Sequence, residues 1–378
     1  MPKAIKPIDP ASVSSTAIEQ LGFAKTLVKW QRAHGRHDLP WQKNLHPYPV
    51  WLSEVMLQQT QVSTVRAYFS KFMARFPTVQ DLAQAHEDEV MSLWSGLGYY
   101  SRGRNLHACA KRVVQDFNGV FPSELNDLVS LPGIGPSTGA AIASICYAKK
   151  EAIMDGNASR VLSRYLGYAR DLSQGAHQRE LHAFAKALLP ERVKDMPVYT
   201  QGIMDLGAMV CTPKRVLCEL CPVQGTCVAF AQNKVFELPF KSKKIKRTQK
   251  SIYWLIAMND RAQVLGARRG LDGIWAGMHA FPEFESELAL RNALPAGVEV
   301  RPLSVMKHEL THQSLSIHGF AWLFKEQGTS ARVQKKVPKP WQSALEGRGF
   351  EWMDMAHWAR VGRPKPVANF LNQLDGLV

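Results

Sequence analysis

The sequence predicts a two-domain protein in which a larger, all-α domain is followed by a smaller α+β domain. The chain has 378 residues, more than one ordinary hydrophobic core supports. Apolar residues recur at the helical period of about 3.6 from residue 18 to residue 232. Residues 241–250, KSKKIKRTQK, then precede a segment rich in β-branched and aromatic side chains.

These changes of composition predict four segments along the chain. They are a flexible N-terminus at 1–17, a helical domain at 18–232, a basic linker at 233–250 and an α+β domain at 251–378. In the last segment we predict strands at 251–258, 263–265 and 315–324, and a closing helix at 367–374. The basic run is either a solvated linker or a linker that also lies along phosphates.

The charge of the chain favours a nucleic-acid partner. Forty-seven Lys and Arg residues against 32 Asp and Glu residues give a net charge of +15, and the pI is about 9.6. This surplus implies a polyanion, either nucleic acid or an anionic membrane surface. Residues 1–15 lack an apolar signal segment, and the uncharged stretch 128–148 is broken by Pro and Gly. We therefore expect no membrane association.

Four of the six cysteines form a metal-binding motif. Cys211, Cys218, Cys221 and Cys227 are spaced C-x6-C-x2-C-x5-C, and four thiolates so close in sequence can hold a [4Fe-4S] cluster. A four-thiolate zinc site and two disulfides are the alternatives. The spacing favours the cluster, because zinc sites usually contain two C-x2-C pairs.

The segment LPGIGPS at 131–137 predicts a helical hairpin. Any pair of consecutive helices can use Gly-Pro in its turn, but the charge and the cysteines favour a hairpin that contacts DNA. Gly133 and Gly135 permit a tight turn with an accessible backbone. Pro136 suits the first turn of a helix, and Ser137 is a good helix-start residue. Free N–H groups at such a helix start can bind a phosphate oxygen.

Two carboxylates outside the cysteine motif are candidates for chemistry. Asp155, in the sequence DGN, is either an ordinary N-cap of the following helix or a functional acid. Glu54 lies among apolar residues in WLSEVMLQQTQ. It therefore either faces solvent or occupies a cleft with a raised pKa.

Taken together, the motifs WLSEVMLQQTQV, GLGYYSR, LPGIGPSTGAAI and DGN and the cysteine spacing resemble those of MutY-type adenine DNA glycosylases. The resemblance covers essentially the whole chain. It implies a helix–hairpin–helix glycosylase core of the endonuclease III-like superfamily with one [4Fe-4S] cluster. It also implies a bacterial, cytoplasmic, nucleoid-associated monomer that acts in base excision repair on double-stranded DNA with A:8-oxoguanine or A:G mispairs.

The resemblance also implies the roles of individual residues. Glu54 would protonate adenine at N7, and Asp155 would stabilise the sugar cation and help to position water. Asn157 would orient groups around Asp155. Gln58 and Tyr99 would fill the stack around the mispaired guanine, although Tyr99 fits a core position equally well. Such a pair of carboxylates suits the oxocarbenium-like transition state of glycosidic bond cleavage.

One position separates two enzyme hypotheses. Relatives that also cut the DNA strand carry a lysine nucleophile just after the hairpin, where this chain has Ser137. Without an amine there, no Schiff base forms, which favours a monofunctional glycosylase over a bifunctional glycosylase/lyase acting on oxidised pyrimidines. A non-catalytic iron–sulfur DNA-binding protein is a third hypothesis, but such a protein would not need both Glu54 and Asp155.

The C-terminal domain resembles the Nudix-like module that recognises 8-oxoguanine. The matching motifs are WAGM at 275–278 and FP at 281–282. The residues after Phe284 lack the Arg and paired Glu residues of a Nudix hydrolase, so no hydrolase activity is expected. The Phe-Ser-His of the family's lesion-reading loop corresponds here to Leu310, Thr311 and His312. We therefore expect Thr311 and His312 to contact the lesion, with weaker selection because the aromatic residue is missing.

Overall fold

The structure is a computed structural model that describes residues 22–242, 246–295, 297–323 and 347–374. Contacts divide the chain into two compact units. The first comprises Met1–Ala83 and Ala108–Lys244, and the second comprises Gln84–His107 and Ile245–Val378. The predicted flexible segment 1–17 lies outside the described residues. None of the helices in the described ranges has the length and apolar character needed to cross a bilayer.

The described α-helices are numbered in chain order. They are α1 (Phe23–His34), α2 (Pro47–Leu57), α3 (Val62–Arg75), α4 (Val79–Gln84), α5 (Glu87–Trp94), α6 (Ser101–Phe117), α7 (Leu125–Ser130), α8 (Pro136–Tyr147), α9 (Gly156–Leu166), α10 (Gly175–Ala187), α11 (Met196–Met209), α12 (Val228–Ala231), α13 (Glu287–Asn292), α14 (Met355–Arg360) and α15 (Lys365–Leu374).

The first unit is a helical bundle organised around α11. This helix packs against α1, α8 and α9, while α2 packs against α8 and α3. Phe23 anchors the bundle, with its ring centroid 4.5 Å from that of Tyr165 and 6.2 Å from that of Tyr199. All three rings are at least 97% buried, and tilted aromatic pairs at this separation are favourable. The bundle thus brings α2, α8 and α9 together.

The second unit is built on a mixed β-sheet. Its strands are β1 (Thr248–Met258), β2 (Val264–Arg268), β3 (His279–Ala280), β4 (Glu283–Phe284), β5 (Arg301–Pro302), β6 (Met306–Glu309), β7 (Gln313–Leu323) and β8 (Glu351–Met353). The order of the main path is β3-β2-β1-β7-β5. Strands β1 and β7 are parallel over their whole length, whereas β6 and β7 form an antiparallel hairpin.

One face of this sheet is covered by α14, α15 and a cluster of aromatic residues. Trp254 on β1 lies 5.6 Å from Phe281 and 6.0 Å from Phe370 between ring centroids, and Phe281 lies 5.5 Å from Trp358. Each of these four side chains is at most 2% exposed. Complete burial of such large rings gives this face of the sheet a hydrophobic core.

Residues 84–107 contribute to the second unit although they precede it by more than a hundred residues. The Ser92 hydroxyl donates to the Ala359 carbonyl at 2.8 Å, and the Ser95 hydroxyl donates to the Arg363 carbonyl at 2.7 Å. Gly362 packs so closely on Met91 that a Cβ there would lie 2.6 Å from the Met91 Cβ. The predicted segment 18–232 therefore does not pack as one continuous body.

The predicted elements of the C-terminal domain are present with shifted ends. Strands at 251–258, 263–265 and 315–324 and the closing helix at 367–374 correspond to β1, β2, β7 and α15. β1 starts at Thr248, inside the predicted linker, because its first residues pair with the start of β7. The all-α and α+β fold classes predicted for the two domains are confirmed.

Candidate active site

The predicted hairpin connects α7 to α8 and leaves its turn accessible. Gly133 adopts a φ of 77°, a conformation that favours glycine. Gly135 is the N-cap of α8, with no side-chain capping hydrogen bond, and Pro136 occupies the first turn. Gly133, Gly135 and Pro136 are all exposed. The backbone N–H groups at this helix start are thus available to an anion.

Asp155 is both the N-cap of α9 and part of a groove. Its Oδ1 accepts a hydrogen bond from the Ala158 N–H at 2.7 Å, and its Oδ2 accepts one from the Asn157 side-chain amide at 3.2 Å. The carboxylate lines a groove of about 510 Å³ that also contains Ser137. The two interpretations of Asp155 in the sequence are therefore compatible, because capping fixes the carboxylate in a position where it still faces the groove.

Glu54 on α2 lies close enough to Asp155 for the two charges to interact. Its side chain is half-buried, and burial of the carboxyl is the main reason that its pKa rises to about 7, with the negative charge of Asp155 raising it further. At neutral pH, Glu54 is thus about half protonated. The structure brings together a carboxylic acid that can donate a proton and a carboxylate held in place by a helix start.

Two further predicted residues lie at the hairpin beside this pair of acids. The Gln58 side-chain amide donates to the Thr138 hydroxyl at 3.3 Å, which connects the end of α2 to the first turn of α8. The Ser137 hydroxyl accepts a hydrogen bond from the Met154 N–H at 3.1 Å. Ser137 thereby holds the chain segment that leads into Asp155, and its side chain carries no amine.

Tyr99, Thr311 and His312 come together in the second unit. Tyr99 has a φ of 47° and is 44% exposed, whereas Tyr100 is buried. The Tyr99 hydroxyl lies 2.6 Å from the Thr311 hydroxyl, in the turn that joins β6 to β7. His312 next to it is exposed. The alternative of a core position for Tyr99 is wrong, because its ring stands at the surface.

The four cysteines of the motif surround one small cavity in the first unit. Burial raises the pKa of Cys221 to about 12 and that of Cys227 to about 11. Arg164 from α9 is only 3% exposed and donates to the Cys211 sulfur at 3.3 Å. Among the described residues, no three His, Cys, Asp or Glu side chains converge closely enough to hold a single metal ion.

Sequence reasoning missed Arg160, which connects Asn157 to the cysteine motif. Its guanidinium donates to the Asn157 side-chain oxygen at 2.8 Å, to the Gly207 carbonyl at 2.7 Å and to the Cys211 carbonyl at 2.7 Å. A Cβ on Gly207 would lie 2.6 Å from the Asn157 Cβ. In the helix sequence GNASRVLSRYL, Asn157, Arg160 and Arg164 lie on one face at spacings of three and four residues, and this spacing is the available signal.

The chain matches two families, one for each part. Residues 52–265 match the HhH-GPD superfamily base excision DNA repair protein family, and residues 253–373 match the NUDIX domain family. An adenine DNA glycosylase of Buchnera aphidicola subsp. Baizongia pistaciae (strain Bp) is 31% identical over 358 residues, which are 94% of this chain and 97% of that protein.

Two other similar proteins each match a little more than half of this chain. The adenine DNA glycosylase of Homo sapiens is 43% identical over 234 residues, 58% of this chain and 42% of that protein. Among solved structures, a thermostable thymine-DNA glycosylase aligns with a TM-score of 0.50 and 26% identity, covering 58% of this chain and 100% of the other.

Proposed function

Since this chain belongs to the MutY-type adenine DNA glycosylases of the HhH-GPD superfamily, we propose that it removes adenine mispaired with 8-oxoguanine or guanine. The observation that carries the proposal is the pairing of Glu54, whose pKa is raised to about 7, with Asp155 at the start of α9. A non-catalytic DNA-binding protein would have no use for a half-protonated carboxyl beside a second carboxylate.

The proposed reaction begins when adenosine leaves the duplex stack, at a cost of a few kcal/mol that is smaller at a mispair. Glu54 then donates its proton to adenine N7, so that the C1′–N9 bond breaks and its electron pair stays with the neutral base. Asp155 stabilises the positive charge that develops on the sugar. Water attacks C1′ and passes a proton to one of the two carboxylates, which leaves an abasic site and restores the acid. Proton transfer from such a positioned acid contributes roughly 10² to 10⁴ in rate.

Strand cleavage is not part of the proposed activity. Ser137 occupies the position of the lysine in strand-cutting relatives, and its hydroxyl is engaged with the Met154 N–H. No amine of this residue can attack C1′ to form a Schiff base. The product is therefore an intact strand with an abasic site, which breaks only after alkali.

The four cysteines would hold one [4Fe-4S] cluster. Support comes from their position around one cavity and from the buried Arg164, whose positive charge complements thiolates. Because burial raises the pKa of Cys221 to about 12 and that of Cys227 to about 11, these thiols would be deprotonated at neutral pH only when a metal replaces the proton. A zinc ion needs all four sulfurs about 2.3 Å from one centre. Four sulfurs that each bind a different iron of a cluster lie farther from one another. When bound, the cluster would fix the loop that exposes Lys214 and Arg215.

The second unit would recognise the base opposite adenine. Thr311 and His312 lie in an accessible turn next to Tyr99, and a threonine hydroxyl can bond to the N7–H or O8 of 8-oxoguanine. Tyr99 offers an exposed ring for stacking. In the first unit, Gln58 offers an amide beside the hairpin. With Leu310 in place of an aromatic residue, we expect a smaller preference for 8-oxoguanine over guanine.

We further propose that the protein acts as a monomer in the bacterial cytoplasm, with the nucleoid.

The test is an excision assay on duplexes that contain A:8-oxoguanine, A:G, A:T, G:T and thymine glycol, each with and without alkali. We expect adenine release from the first two substrates, with strand breaks only after alkali. Thymine release from G:T would instead support a thymine glycosylase, and breaks without alkali would support a lyase. Binding without any base release would support the non-catalytic hypothesis.

A further inference from the structure

The groove that contains Asp155 also contains three basic side chains. Arg179 and His182 come from α10, and Lys241 comes from the start of the basic run 241–250. Of the described residues that line the groove, only Asp155 is acidic. Arg179 and Lys241 are exposed, and neither forms an ion pair with a described residue. The groove thus carries two uncompensated positive charges beside the proposed catalytic carboxylate.

Lys241 is held at the groove by hydrogen bonds on both sides of it. The Leu172 N–H donates to the Phe240 carbonyl at 2.9 Å. The Ser242 N–H donates to the Asp171 carboxylate at 3.0 Å, and the Ser242 hydroxyl donates to the other oxygen of the same carboxylate. The backbone of Lys241 is therefore fixed at both neighbours, which is unusual for the first residues of a solvated linker.

Asp171 holds this segment without neutralising the lysine. Its two carboxylate oxygens also accept from the Ser173 N–H at 2.9 Å and the Ser173 hydroxyl at 2.7 Å. These hydrogen bonds, with that from the Ser242 hydroxyl first, hold the pKa of Asp171 well below its usual range. The carboxylate is thus ionised but occupied by serines, and the Lys241 ammonium stays available for another anion.

Helix geometry adds to the positive field in the groove. α10 starts with neither a side-chain cap at Gln174 nor an acidic residue in its first turn. The Arg179 guanidinium folds back over this turn, since a Cβ on Gly175 would lie 3.4 Å from Arg179 Nη1. A cation at a helix N-terminus faces the positive end of the dipole. This arrangement is unfavourable unless an anion binds between them.

We infer that Arg179 and Lys241 bind a phosphate of the adenine-containing strand, next to the flipped nucleoside. The inference rests on the proposed function, because it assumes that Asp155 faces the sugar of that nucleoside. A sugar is covalently joined to its own phosphates, so a groove that receives the sugar at Asp155 must also receive a phosphodiester. The first residues of the basic run therefore belong to the DNA-binding site as well as to the connection between domains.

The test measures DNA affinity as a function of salt for Lys241→Ala and Arg179→Ala. The probe is a duplex with 8-oxoguanine opposite 2′-fluoro-deoxyadenosine, since fluorine opposes the sugar cation and slows cleavage. Loss of one phosphate contact lowers the slope of log K against log salt by about 0.9. The ratio of wild-type to variant affinity should therefore increase about eightfold when the salt concentration falls from 1 M to 0.1 M. An undamaged duplex, which places no flipped nucleoside at Asp155, should show a smaller loss. Lys111→Ala removes one exposed charge from α6, outside the groove, and should change the slope by much less.

A second variant tests the fixed position of Lys241. Asp171→Ala raises the net charge by one, which by itself strengthens DNA binding, yet loss of the hydrogen bonds to Ser242 should weaken it about threefold or more. Slopes for Lys241→Ala and Arg179→Ala equal to that of Lys111→Ala, or tighter binding by Asp171→Ala, would overturn the inference. Adenine excision by the wild-type protein is measured in parallel, so failure of the proposed function is recognised separately.

Discussion

Replacing Glu54 with Gln should stabilise the protein at neutral and alkaline pH while removing nearly all excision. The folded protein holds the Glu54 carboxyl at a pKa of about 7, against 4.5 for the unperturbed group. Its folded state therefore binds the proton more tightly than its unfolded state, and stability is lost as pH rises from 4.5 to 7. Each tenfold change in proton affinity corresponds to about 1.36 kcal/mol. The shift in the pKa of Glu54 therefore lowers the free energy of unfolding by about 3 kcal/mol above pH 7.

Glutamine has nearly the same shape and no charge, so the variant avoids this loss. We expect Glu54→Gln to increase the free energy of unfolding by up to about 3 kcal/mol at pH 8 and by less than about 1 kcal/mol at pH 5. Excision under single-turnover conditions should fall by at least the roughly 10² to 10⁴ assigned to a general acid, while mispair binding is kept.

The measurement is urea denaturation followed by circular dichroism at both pH values, beside the excision assay. Glu237→Gln is the matched control, because Glu237 is exposed in the same unit and its replacement should change stability little at either pH. A Glu54→Gln protein that is less stable than wild type at pH 8, or that still turns over at a substantial rate, would refute the reasoning.

Three other predictions concern the same reaction. Single-turnover excision should fall as pH rises through about 7, because the proton donor must be protonated to act; a rate that stays flat to pH 9 would contradict this. Gly207→Ala should lower excision at least tenfold by pushing on Asn157, whereas Gly270→Ala, where a Cβ meets nothing within 4 Å, should leave the rate unchanged. Tyr99→Phe removes the hydroxyl that bonds to Thr311 and should reduce the preference for 8-oxoguanine over guanine without lowering the rate on A:G; equal losses on both substrates would count against this role.

The parts of the site that depend on local sequence could be predicted. Gly133 and Pro136 determine the turn and the helix start whatever surrounds them, and the structure has both as expected. Asp155 was recognised as a possible N-cap, and it is one. In each case the controlling interaction lies within a few residues, which is the range over which propensity and capping act.

The remaining parts depend on contacts between distant residues. Local periodicity shows that Glu54 lies on an apolar helix, but only its burial in the folded bundle, with the charge of Asp155 nearby, raises its pKa. From the sequence, Arg160 is an ordinary residue on the polar face of an amphipathic helix, and its role becomes visible only with its partners at Gly207 and Cys211. The sequence assigns Lys241 to the linker, because the residues that bind its neighbours lie about 70 positions earlier in the chain. Periodicity carries no information about such partners.

The grouping of residues 84–107 with the C-terminal sheet has a consequence for the proposed recognition of a mispair. Tyr99 and Thr311 are 212 positions apart in the chain, yet they belong to the same compact unit. The Tyr99 ring, proposed to insert into the DNA duplex, and the Thr311 hydroxyl, proposed to contact the purine opposite adenine, are therefore held at a fixed distance from each other. Removing everything beyond residue 245 would not yield a simple minimal enzyme, because it would also remove the residues that share a compact unit with the tyrosine proposed to contact DNA.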